Sequence, residues 1–134
     1  MVSGAYFVRY LSYDEILSIH ERLIEVFGGE SGIFSTDALE NCVSLPMMSV
    51  FGTETNPTVW SKAAALLYCI LIRHPFVDGN KRTTWTAAKL FLFLNGYDLQ
   101  VDVDTAEAKI LQLLREESSN DSIAKWLEQC STKI

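Results

Sequence analysis

Ten consecutive residues, His74 to Thr83, hold most of the side chains in this sequence that could do chemistry. The segment reads HPFVDGNKRT and places a histidine, a carboxylate and two cations beside glycine and asparagine, between two strongly apolar stretches. Lys81 and Arg82 fall in the first turn of a predicted helix, where unpaired backbone N–H groups already carry partial positive charge. Cations are unfavourable there unless an anion binds, so the pattern predicts an anion site at this helix N-terminus.

Asp78 adds a second requirement, because its carboxylate would repel a phosphate bound at the same helix end. A divalent cation between the two groups removes the conflict, and Mg²⁺ typically binds one or two carboxylates together with substrate phosphate oxygens. A histidine such as His74 can serve as a general base. The segment therefore offers a base, a metal ligand and a phosphate clamp, which phosphoryl or nucleotidyl transfer requires.

The rest of the sequence predicts an all-α protein whose helices position this segment. Ser12 and Glu15 have capping-box spacing, and apolar residues at helical intervals follow them until Gly28-Gly29. Five further helices are predicted: about Ser35 to Leu45, after Pro57 to Arg73, about Asn80 to Asn95, Asp104 to about Glu117, and Asn120 or Asp121 to near Cys130. The helix that ends at Arg73 is apolar on all sides from Ala63 to Ile72, so we expect it to be central and buried.

Two segments between the helices lack the helical spacing of apolar residues. Leu45 to Thr58 is rich in loop-forming residues and has the length of a functional flap. From Tyr97 to Asp104 apolar and polar residues alternate, which is a strand signal. No partner strand is evident, so an extended connection is predicted there.

Composition limits the possible functions. The chain has 134 residues, enough for one domain spanning 1–134, and a formal net charge of −6. General nucleic-acid binding is disfavoured, because it depends on neutralising phosphates. The three cysteines, Cys42, Cys69 and Cys130, are widely spaced among apolar residues and are predicted to be reduced thiols. The start has no secretory pattern and no apolar run is long enough to span a bilayer, so a cytoplasmic protein with no membrane contact is expected.

The segment from His74 to Arg82 resembles the signature of Fic/Doc proteins, His-Pro-Phe-x-Asp/Glu-Gly-Asn-Gly/Lys-Arg, without a gap. Lys81 is similar to the death-on-curing (Doc) toxin branch, where Fic proteins that transfer AMP have glycine. The resemblance implies the compact helical Fic/Doc fold with a flap ahead of the active-site loop. It also implies ATP and Mg²⁺ as cofactors, a hydroxyl of the translation factor EF-Tu as target, and a Phd-like antitoxin as partner.

The roles implied by the resemblance follow position by position. His74 is the expected general base and Asp78 the expected metal ligand, and Phe76 anchors the loop inside the protein. The expected nucleotide and phosphate contacts come from Gly79, Asn80, Lys81 and Arg82. A lysine in place of glycine favours phosphoryl transfer, with the γ-phosphate at the histidine.

Other functions stay open at this point. AMP transfer uses the same motif, although many such Fic proteins have a second arginine where Trp85 stands here. The domain could also be a catalytically idle module that sequesters a partner, or an enzyme that removes a modification with water as nucleophile. Thr83 and Thr86 are candidates for support of the far phosphates.

Two further predictions concern residues outside the motif. Thr36, Glu40 and Asn41 fit the inhibitory pattern Ser/Thr-x-x-x-Glu-Gly/Asn of some Fic proteins, but the pattern is short and ordinary capping by Thr36 with Glu40 in water is favoured over self-inhibition. His20 lies on the apolar stripe of the first helix and is predicted to be a core or edge residue.

Overall fold

The computed structural model describes residues 7–116 and 118–134, and its architecture is mostly helical. Two stretches lie outside these ranges. They are residues 1–6, which belong to the N-terminal stretch that was examined for a secretory pattern, and Glu117, the predicted end of one helix. Within the described ranges there are six α-helices: α1 Tyr13–Phe27, α2 Thr36–Ser44, α3 Val59–Arg73, α4 Asn80–Leu94, α5 Val103–Arg115 and α6 Asn120–Gln129. The same part of the chain has four short strands: β1 Ser49–Val50, β2 Thr53–Glu54, β3 Tyr97–Leu99 and β4 Ser131–Lys133. The all-α prediction is confirmed.

Side-chain caps set the helix starts close to the predicted positions. At α1 the Ser12 hydroxyl accepts from the backbone N–H of Glu15, whose carboxylate in turn accepts from the Ser12 N–H, which is the predicted capping box. The cap of α2 is Ser35, whose hydroxyl accepts from the Ala38 N–H, so the alternative cap, Thr36, is wrong. Local sequence is sufficient for these boundaries, because a cap acts within one turn.

Helix α3 is the centre of the molecule, as its apolar sequence predicts. Nearly all of its residues from Ala63 to Leu71 are buried, and it packs against α2, α4 and α6. At its C-terminal end Ile72 is exposed. The active-site segment follows directly, so the most buried helix of the fold supports the loop that carries the motif.

The strand signal after α4 is a real strand, and the prediction of an unpaired extended connection is wrong. Strand β3 pairs antiparallel with β4 at the C-terminal end of the chain, with Tyr97 opposite Lys133 and Leu99 opposite Ser131. The partner lies more than 30 residues away and is only three residues long, so no periodicity reveals it from sequence. The alternating pattern runs to Asp104, but α5 begins earlier, at Val103, because Asp102 caps it by accepting from the Thr105 N–H.

The prediction of three reduced cysteines is also wrong for two of them. Cys42 on α2 and Cys69 on α3 form a disulfide across a Cα–Cα distance of 5.4 Å, and Cys130 is free. Both bonded cysteines are buried in the core. The pairing depends on the packing of α2 against α3, which the spacing of 27 residues does not reveal.

The flap, residues 45–58, consists of a 3₁₀ turn, Leu45–Met47, and the β1–β2 hairpin. Lys62 of α3 is 1% exposed and fastens the flap, because its ammonium donates to the carbonyls of Pro46 and Asn56 and to the Glu54 carboxylate. Burial opposes its charge, but the bond to Glu54 keeps the pKa of Lys62 above its usual value. The flap is therefore fixed at both ends to α3.

Within the two described ranges, no helix has both the length and the apolar character needed to cross a bilayer.

Candidate active site

The motif begins where α3 ends. His74 is the C-cap of α3 and has left-handed backbone angles, φ 47° and ψ 62°, which residues other than glycine adopt uncommonly. Its backbone N–H donates to the Ile70 carbonyl at 3.1 Å, and its side chain is exposed. The left-handed turn changes the direction of the chain at once, so the imidazole sits at the rim of the loop that follows.

The loop after His74 is held by the segment that leads into α2. The Pro75 carbonyl accepts from the N–H groups of Phe34 and Ser35 at 2.7 and 3.1 Å. Two residues on, the Val77 N–H donates to the Gly32 carbonyl at 3.1 Å. These strand-like contacts fix the loop from outside.

Asn80 and Phe76 hold the loop from inside. The Asn80 side chain accepts from the Phe76 N–H at 3.0 Å and donates to the Phe76 carbonyl at 2.9 Å, so both backbone groups of one residue are satisfied. The Phe76 ring is 2% exposed and points into the core. Asn80 therefore ties the turn to Phe76 through both ends of its amide.

The Asp78 carboxylate is oriented by two backbone donors. One oxygen accepts from the Gly79 N–H at 2.8 Å and the other from the Glu30 N–H at 3.1 Å. Gly29 allows this approach, because a Cβ at that position would lie 2.7 Å from the carboxylate. Each oxygen keeps lone-pair capacity after these bonds, so the group can still bind a cation.

The N-terminus of α4 has no side-chain cap. Its N-cap is Gly79, with φ 76°, so the first-turn N–H groups receive no hydroxyl or carboxylate in the usual capping position. Lys81 and Arg82, both exposed, add two positive charges to the same turn. The Arg82 guanidinium lies over the Phe27 ring at 4.5 Å, which leaves the edge of its plane available for hydrogen bonds.

These groups line one cavity of about 590 Å³. One wall carries His74, Asp78 and the start of α4 through Trp85. Further lining residues belong to α5 and are Val103, Ala106, Glu107 and Ile110. Sequence reasoning missed this wall, although these four positions have the i, i+3, i+4, i+7 spacing of one helix face.

Other predicted residues lie outside the cavity lining. Thr36, Glu40 and Asn41 are on α2, where Glu40 is exposed and Asn41 accepts from the Arg73 guanidinium at 3.0 Å. Thr83 is fully buried, and its hydroxyl has no hydrogen-bond partner in the described part of the chain. The structure thus unites His74, Asp78, Gly79, Asn80, Lys81 and Arg82 in one cavity.

The donor set fits magnesium better than a metal that needs several protein ligands. Across residues 7–116 and 118–134 no cluster of three or more histidine, cysteine or acidic side chains could hold a metal ion. Asp78 is an oriented carboxylate in one cavity with Lys81 and Arg82, and such a carboxylate can hold Mg²⁺ together with substrate phosphates.

Fold and site together define a small helical protein with a histidine and an oriented carboxylate at a cationic helix N-terminus. A model of the Fic/DOC family matches residues 10–92, and the chain belongs to this family, in its Doc toxin branch. "Toxin Doc" of Mycolicibacterium smegmatis is 38% identical over 120 residues, which cover 88% of this chain and 90% of that protein. "Protein kinase doc" of Escherichia phage P1 is 28% identical over 112 residues, with coverage of 77% and 88%.

Proposed function

We propose that this Doc-like toxin transfers the γ-phosphoryl group of ATP to a hydroxyl of a protein target. The observation that carries the proposal is the uncapped α4 N-terminus with Lys81 and Arg82, in one cavity with His74 and Asp78. Support also comes from the phage relative, whose name describes it as a protein kinase. Lys81 favours this reaction over AMP transfer, because its side chain occupies space that a glycine leaves for the α-phosphate.

In the proposed reaction His74 accepts the proton of the target hydroxyl, whose oxygen forms a bond to the γ-phosphorus. The bond between that phosphorus and the bridging oxygen breaks, and ADP leaves with the electron pair. Arg82, Lys81 and the first-turn N–H groups of α4 bind the phosphate oxygens. Asp78 would hold Mg²⁺, which when bound neutralises phosphate charge.

The supporting residues have structural tasks in this scheme. Gly79 provides the left-handed turn into α4, and Asn80 and Phe76 keep the loop in one shape. The cavity of about 590 Å³ is large enough for a nucleotide, and its α5 wall shields one side from water.

The biological setting is proposed from the family resemblance. The target is a hydroxyl of the translation factor EF-Tu, so that phosphorylation arrests translation in the cytoplasm. A Phd-like antitoxin silences the toxin until it is released. Neither partner contact is expected to involve nucleic acid or a membrane.

The deciding experiment compares ATP labelled at the γ position with ATP labelled at the α position. Purified protein is incubated with Mg²⁺, EF-Tu and either nucleotide, and label on EF-Tu is measured. We expect transfer from γ-labelled ATP alone. Transfer from the α position instead would make the protein an AMP transferase.

His74→Ala is the matched control for this assay. The side chain is exposed, so the variant should keep its fold, measured by circular dichroism, and lose transfer. Wild-type transfer by His74→Ala would contradict the role of the histidine. Toxicity that persists in His74→Ala and in Lys81→Ala would favour a module that acts by binding alone.

A further inference from the structure

We propose that His20 is a positioning residue, which fixes the Asp78–Gly79 peptide and through it the carboxylate of Asp78. The inference rests on the proposed function, because Asp78 matters as the ligand for Mg²⁺ with the bound nucleotide. His20 itself lies on α1, 58 residues before Asp78, and does not line the cavity.

His20 is buried directly beneath the motif loop. Its side chain is 0% exposed, and its ring stacks on the Phe76 ring with a centroid distance of 3.8 Å and an interplanar angle of 6°. A Cβ added to Gly79 would lie 3.7 Å from the same ring. The imidazole therefore fills the space between α1 and the turn that opens α4.

One nitrogen of the ring makes a hydrogen bond to the loop backbone. His20 Nε2 lies 2.7 Å from the Asp78 carbonyl oxygen. A carbonyl only accepts, so Nε2 carries the proton and donates. The other nitrogen, Nδ1, is buried without a partner among the residues that the structure describes. An unpaired buried nitrogen is unfavourable, and a phenylalanine or leucine would avoid it, so the Nε2 bond points to a purpose beyond packing.

The geometry of the peptide unit transmits this bond to the carboxylate. In a trans peptide the C=O and the following N–H point in opposite directions. Because His20 holds the Asp78 carbonyl toward the interior, the Gly79 N–H points outward, where it donates to the Asp78 carboxylate at 2.8 Å. The path thus runs from His20 through one rigid peptide to the proposed metal ligand.

Two substitutions separate the hydrogen bond from the ring. His20→Gln loses the ring but keeps an N–H donor at the same number of bonds from the backbone. His20→Phe keeps the ring stack but loses the donor, and it places a C–H against the Asp78 carbonyl. Ile16→Val is the control, because Ile16 is a fully buried apolar residue one turn earlier on α1.

Two measurements follow each variant. The first is the amide resonance of Gly79 in ¹⁵N-labelled protein without nucleotide, which reports the bond to the carboxylate. The second is the Kd for Mg-ATP from titration calorimetry. We expect His20→Phe to shift the Gly79 resonance and to raise the Kd roughly tenfold or more, the typical effect of losing a partner behind a metal ligand. His20→Gln and Ile16→Val should stay within about threefold of the wild type.

The outcomes distinguish this inference from the proposed function. An unchanged Gly79 resonance and Kd in His20→Phe would overturn the inference, and losses confined to His20→Gln would assign the effect to the ring stack. Absence of Mg-ATP binding in the wild type would instead contradict the proposed function, while the Gly79 resonance still tests the His20 bond. If His20→Phe does not fold, His20→Met replaces it as the donor-free partner of His20→Gln.

Discussion

Gly28 and Gly29 follow α1 and differ in what surrounds them. Both have positive φ, 87° and 112°, so an alanine is strained at either position. A Cβ at Gly28 would meet nothing within 4 Å, whereas one at Gly29 would lie 2.7 Å from the Asp78 carboxylate. The pair therefore separates backbone strain from a direct effect on the site.

We predict that Gly29→Ala displaces Asp78 and weakens Mg-ATP binding, on the order of tenfold. Both variants should lower the free energy of unfolding by about 1–2 kcal/mol, because each places a Cβ at a positive φ. Gly28→Ala should nevertheless keep the wild-type affinity for Mg-ATP. Titration calorimetry measures Mg-ATP binding, and urea unfolding measures stability. Equal Kd values for the two variants would show that Asp78 adjusts to the added methyl group.

At the scale of single residues, the sequence is sufficient to predict a site whose residues are neighbours in the chain. His74, Asp78, Lys81 and Arg82 are neighbours in the chain, and their types predict one anion site; the structure places all four in the lining of one cavity. His20 was predicted to be a core residue, and it is fully buried. Its bond to Asp78 could not be predicted, because it joins residues 58 positions apart.

For secondary-structure elements, too, local features were predictable from the sequence and long-range contacts were not. Helix starts at Tyr13, Thr36 and Asn120 were predictable, because serine caps act on the N–H groups of the adjoining turn. The pairing of β3 with β4 and the disulfide between α2 and α3 were not, because both depend on which elements become neighbours in space. Long-range contacts of this kind have no local signature.

The disulfide joins α2 to α3, and its contribution to stability can be measured. It closes a segment of 27 residues between Cys42 and Cys69, and a cross-link of that length restricts the unfolded chain. Its reduction should lower the free energy of unfolding by about 3–4 kcal/mol. Urea unfolding of the oxidised protein and of the fully reduced protein measures the difference.

Cys130 provides the control for this measurement. Because it is free, the denatured, non-reduced protein should react with one equivalent of a thiol reagent rather than three. Cys130→Ser should respond to reductant as the wild type does. Three reactive thiols, or an unfolding midpoint that reductant leaves unchanged, would contradict the disulfide.

For the whole molecule, a net charge of −6 and an anion site are compatible because the positive charge is local. Lys81 and Arg82, two of the 11 Lys and Arg residues, lie beside the uncapped N–H groups at the start of α4, while the rest of the chain is acidic on balance. Such a surface suits a small anion paired with Mg²⁺ and disfavours a long polyanion. The distribution of charge on the surface therefore affects which anions can bind more than the net charge does.

Substitutions of Arg82 and Arg22 allow a test in which the net charge of the two variants is the same. Arg82→Gln and Arg22→Gln each remove one positive charge, so both variants have the same net charge. Arg82 lines the cavity, whereas Arg22 is exposed and pairs with Glu25 at 3.1 Å, a surface pair of small energetic value. We predict that Arg82→Gln raises the Kd for Mg-ATP roughly tenfold or more, because a charged hydrogen bond to phosphate is lost. Arg22→Gln should change it less than about twofold. Titration calorimetry at one fixed ionic strength measures both, and equal losses would mean that overall charge, not the α4 N-terminus, governs nucleotide binding.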